Sequence, residues 1–67
     1  MKNATLLFKR DLDANTSVIV TFNEYSSEYQ IRLNHAEGIR YQSASSLKDA
    51  QDTCRAYLST AQSLIEA

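Results

Sequence analysis

The sequence predicts an α+β fold: a small two-layer sandwich, an antiparallel three- to four-stranded β-meander covered on one face by a single C-terminal α-helix. Three observations predict it. The first 42 residues contain segments that alternate apolar and polar side chains with a period of two, as half-buried strands do. Beyond residue 45 the period changes to 3.6. With 67 residues and one cysteine, the chain has room for one domain and no intrachain disulfide, so it must stand on an apolar core.

Each element has its own warrant. Residues 5–10 are a short apolar run with β character, read as the first strand. Asp11 to Asn15 follows as a turn, because Asp and Asn side chains satisfy tight backbone bends themselves. Residues 16–23, TSVIVTFN, are rich in β-branched residues, with Val18, Val20 and Phe22 alternating against Ser17, Ile19 and Thr21. Residues 28–34 alternate again, Tyr29, Ile31 and Leu33 against Gln30 and Arg32. His35 to Gly38 reads as a hairpin turn around the sole glycine. Residues 39–42 form the fourth strand, with Ile39 and Tyr41 expected to face the core. The helix is expected over 46–65, since Leu47, Ala50, Cys54, Tyr57, Leu58, Ala61 and Leu64 trace one stripe. Ser46 followed by Asp49 resembles a capping box at its start. About 20 helical residues span roughly 30 Å, enough to cross one face of a four-stranded sheet about 15–19 Å wide. The predicted core is the strand set Leu6, Phe8, Val18, Val20, Phe22, Tyr29, Ile31, Leu33, Ile39 and Tyr41, packed beneath that stripe.

Composition narrows the function classes. Leu, Ile, Val and Phe make up 15 of 67 residues, which places the chain just inside the globular range. Seven basic residues against eight acidic ones give a net charge of −1, so neither the basic excess of a strong nucleic-acid binder nor the acidic excess of a DNA mimic is present. The longest apolar run near the N-terminus, Leu6 to Phe8, is too short for a signal peptide or a membrane span. With the single thiol, this leads to the expectation of a cytoplasmic protein without membrane contact.

Little in the sequence resembles a catalytic or metal centre. Asp11, Asp13 and Asn15 match the first half of a calcium loop, but Thr16 and Phe22 stand where that loop needs glycine and a bidentate glutamate. Cys54 and His35 are the only nucleophile and base pair available. The thiol falls in the apolar helix stripe and the imidazole in a hairpin turn. One Cys and one His cannot supply a zinc site, and one glycine cannot build a phosphate loop. The expectation is therefore no enzyme, no metal and no cofactor.

One helix leaves the other sheet face open. Alternation assigns to that face Leu7, Lys9, Ile19, Thr21, Gln30, Arg32, Arg40 and Gln42, with Thr5 and Ser17 beside them, and these are the candidate partner-binding residues. The aromatic residues needed to stack nucleic-acid bases fall on the core side, except Tyr25 in a loop.

The stretch EYQIRLNHAEGIRYQSASSLKDAQDTCRAYL, residues 28–58, runs strand, hairpin turn, strand, serine, then a helix with spaced alanines. It is similar to the three-stranded arm-type DNA-binding domains of phage integrases and to small antitoxin-like ββα folds. Those families carry a more basic sheet and a conspicuous hairpin glycine; Gly38, Arg32 and Arg40 are the positions that fit. The resemblance implies only that short, stand-alone sheet-plus-helix proteins of this size are common in phages and mobile elements, where many act by binding another macromolecule. The expected function is a non-enzymatic protein–protein interaction module, a small inhibitor or regulator. It would bind a protein partner, or itself as a homodimer, through the open sheet face or a sheet edge. The alternative is a nucleic-acid-binding module that uses the basic residues of the open face.

Overall fold

The computed structural model describes residues 4–66. Four strands, β1 (Ala4–Asp11), β2 (Ser17–Asn23), β3 (Glu28–His35) and β4 (Gly38–Ala44), precede one helix, α1 (Leu47–Glu66). The strands pair in chain order as an open antiparallel sheet, and α1 packs against it over β2, β3 and β4. This is the predicted architecture, with strand ends extended by one or two residues at most positions.

The connections are held by short side chains. Asp13 Oδ1 accepts from the Asn15 amide at 2.8 Å, and the Leu12 amide donates to the Thr16 carbonyl at 2.9 Å, closing the β1–β2 turn. The Asn15 amide holds the Asp13 carboxyl below its ordinary pKa. Asn23 Oδ1 accepts from the Tyr25 amide at 2.9 Å and caps the β2–β3 loop, where Ser27 adopts the left-handed conformation. Ser46 caps α1: its Oγ accepts from the Asp49 amide at 3.2 Å, and its carbonyl accepts from the Ala50 amide.

The core lies between the middle strands and the helix. Val18, Val20, Ile31 and Leu33 are buried under Ala50 and Ala61, with Ala44 beside them and Leu12, Tyr29, Cys54, Tyr57 and Leu58 packed around the margin. Small alanines on the helix let it approach the two central strands closely. The rings of Phe22 and Tyr29, facing partners on β2 and β3, meet at 4.9 Å in a tilted pair.

The two edge strands depart from the expected faces. In β1, Leu6 pairs with Thr21 and Phe8 pairs with Val20, so Leu7 is an extra residue, a β-bulge. The bulge reverses parity across itself. Leu6, expected in the core, shares the open face with Thr21 and is 58% exposed; Leu7, expected on the open face, turns to the helix side. Thr5 likewise faces Phe22 on the helix side. In β4, the connection is a two-residue turn, Ala36-Glu37, which pairs His35 with Gly38. That register places Arg40 opposite Leu33 and Gln42 opposite Ile31, on the helix side, and puts Ile39 and Tyr41 on the open face, 61% and 66% exposed. Arg40 and Gln42 are thus removed from the open face, and Ile39 and Tyr41 from the core. The bulge sets the faces of β1, and the Asn34–Ile39 pairing sets those of β4, which itself alternates regularly.

Candidate interaction surface

The open face is built from rows that cross all four strands. Its central row is Lys9, Ile19, Arg32 and Tyr41, each facing the next across a strand pair. One flanking row is Leu6, Thr21, Gln30 and Ser43; the other is Asp11, Ser17, Asn34 and Ile39. Asn34 donates to Ser17 Oγ at 3.2 Å and stiffens the β2–β3 part of that last row. Of the candidate residues, Lys9, Ile19, Thr21, Gln30 and Arg32 share this face; Leu7, Arg40 and Gln42 do not. Arg32 and Arg40, read from the sequence as neighbours in one basic patch, lie on opposite sides of the sheet.

A second surface has no counterpart in the alternation pattern. Because α1 leaves β1 uncovered, an apolar groove runs between them. It has a volume of about 370 Å³ and is lined chiefly by Leu7, Phe8, Val20, Leu47, Cys54 and Leu58. An adjoining depression of about 470 Å³ shares Leu7 and Leu47 with it and reaches Phe22 and Tyr29. Leu7 is 48% exposed and Phe8 38%. Leu6 projects on the other side of the same strand, so the free edge of the sheet carries exposed apolar side chains on both faces. The sequence held one signal for this. Three consecutive apolar residues, Leu6-Leu7-Phe8, cannot alternate in a regular strand.

The groups that bear chemistry remain apart. Cys54 lines the β1 groove, while His35 lines a separate depression near the β3–β4 turn with Leu33, Ile39 and Leu64. Burial pushes the Cys54 thiol above its ordinary pKa, which disfavours the thiolate. Among the described residues, no three His, Cys, Asp or Glu side chains gather in one place, and no helix is long and apolar enough to cross a membrane.

Comparison with protein families, with curated proteins and with solved structures finds no match to this chain.

Proposed function

We propose that the protein is a non-enzymatic protein–protein interaction module whose working surface is the β1 edge of the sheet. One observation carries this reading: the helix stops short of β1, so a free strand edge lies between exposed apolar side chains, Leu6 on one face and Leu7 and Phe8 on the other. A free edge offers unpaired backbone N–H and C=O groups to an incoming strand, and flanking apolar pockets supply side-chain selectivity. On this reading the chain acts by occupying a partner's surface, as a small inhibitor or regulator does. The likeness of residues 28–58 to phage integrase arm-type domains supports a phage or mobile-element setting, and the lone thiol fits the cytoplasm.

Site-specific photocrosslinking tests the surface. A benzophenone side chain replacing Leu6 captures a partner protein in extract of the source cells, and one replacing Gln62 on the outer helix face does not. Capture from Gln62 alone moves the working surface to the helix.

A second reading has one observation in its favour. Tyr41 stands on the open face directly opposite Arg32, so the face holds an exposed aromatic ring beside one cation, with Lys9 at the far end of the same row. Single-stranded nucleic acid uses such pairs, stacking a base on the ring and setting phosphates on the cations. A salt titration separates the two readings. Phosphate-driven binding weakens steeply with salt, and apolar association through the β1 edge does not.

A further inference from the structure

We infer that the partner taken up by the β1 edge is a second copy of this chain, joined by antiparallel β1–β1 pairing with its two-fold axis between Leu7 and Phe8. The inference rests on the proposed edge-binding role and names its occupant.

The bulge carries the argument. In a two-fold antiparallel pair, facing residues must lie on the same side of the sheet, so the order of faces along the strand must read the same in both directions. From Ala4 to Asp11, β1 reads open, helix side, open, helix side, helix side, open, helix side, open. That order is a palindrome centred between Leu7 and Phe8. Moving the axis by one residue sets open-face side chains against helix-side ones in part of the overlap. Leu7 then faces Phe8 of the second copy, Leu6 faces Lys9, Thr5 faces Arg10, and Ala4 faces Asp11.

Charge agrees with this register. Lys9, Arg10 and Asp11 cluster at one end of the strand, where the like charges of a parallel pair would lie side by side. In the antiparallel register no charged residue faces another. The two Lys9 positions stand about 10 Å apart along the strands, and each aliphatic stem lies over an exposed Leu6. The bulge and the inward-turned Arg10 are features that ordinarily discourage edge pairing. Here the bulge is accommodated at the axis and Arg10 meets a small polar threonine.

The opposite edge is the weaker choice. Its exposed apolar side chains, Ile39 and Tyr41, lie on one face only, whereas β1 carries them on both faces of the edge. Eight residues of strand give an edge about 27 Å long, and the molecule is 16 Å across in its thinnest direction. The footprint is then about 430 Å² per partner, against about 800 Å² for a standard stable interface. The dimer is therefore weak and depends on concentration.

Disulfide trapping reads the register directly. In a Cys54→Ala background, the Leu6→Cys and Lys9→Cys variants are mixed and oxidised with diamide. Facing residues of an antiparallel pair have Cα atoms about 4.5–5.5 Å apart, inside the disulfide range, whereas Leu6–Leu6 and Lys9–Lys9 separations of about 10 Å lie outside it. The expected result is a crosslinked dimer in the mixture that is lost when either variant is oxidised alone. Sedimentation of the unmodified protein is expected to move from 7.6 kDa toward twice that mass as concentration rises. Equal crosslinking of the single variants, or a rising mass without mixed crosslinks, overturns the β1 register. A constant monomer mass overturns self-association. If the Leu6 photocrosslinker still captures a different protein in that case, the edge-binding role stands and only the identity of its occupant falls.

Discussion

Leu33 and Ile39 are the residues on which the observed β3–β4 register can be tested most directly. The apolar pattern treats them alike, and the structure separates them. Leu33 is 2% exposed beneath the helix, whereas Ile39 stands on the open face with about two-fifths of its surface covered. Truncating a fully buried leucine to alanine removes its transfer energy and leaves a cavity, costing about 2–5 kcal/mol. Full burial of an isoleucine side chain contributes about 1.5–3 kcal/mol, so the covered fraction of Ile39 contributes about 0.6–1.2 kcal/mol. A domain of this length has a total stability of about 3–10 kcal/mol. Leu33→Ala therefore removes a large share of it and Ile39→Ala a small one. Urea denaturation followed by circular dichroism measures both. With a slope of about 1 kcal/mol per molar for so small a protein, the midpoint is expected to fall by about 2 M or more for Leu33→Ala and by about 1 M or less for Ile39→Ala. Equal losses would refute the pairing of Ile39 with Asn34 and place Ile39 in the core.

Two further outcomes follow from the same structure. Gly38 has a φ of +156° with open space around it, so Gly38→Ala meets no clash and its cost is backbone strain, about 1–3 kcal/mol; thermal melting should show a drop of about 4–8 °C for each kcal/mol. For Cys54, the folded state holds the thiol proton more firmly than the unfolded state, whose pKa lies near 9.0. Unfolding therefore releases a proton above that value, and stability declines as pH rises through it. The decline should be shallower in Cys54→Ala, and identical slopes in urea titrations of the two proteins at pH 8 to 10 would place the thiol in solvent.

The middle of this protein was legible in its sequence, and its edges were not. Val18, Val20, Ile31 and Leu33 alternate because β2 and β3 are paired on both sides and roofed by the helix, so each apolar side chain has a single place to go. The Asx turn at Asp13 and the Ser46 cap were equally legible, because each is made within a few residues of chain. The helix stripe was readable near Ala50 and Ala61 and less so at its ends, where Leu47 and Leu64 remain exposed. On the edge strands the constraint relaxes. A bulge at Leu7 reverses the faces of β1, and in β4 the pairing of Ile39 with Asn34 puts Ile39 and Tyr41 on the open face, where their apolar character had suggested the core. With half their surroundings open to solvent, Leu6, Ile39 and Tyr41 tolerate positions that a covered strand would forbid. Local sequence determined the elements, their order and the central core. Only the tertiary structure decided which strand the helix leaves bare, and with it the groove and the free edge, because that depends on where a single helix comes to rest on a sheet wider than itself.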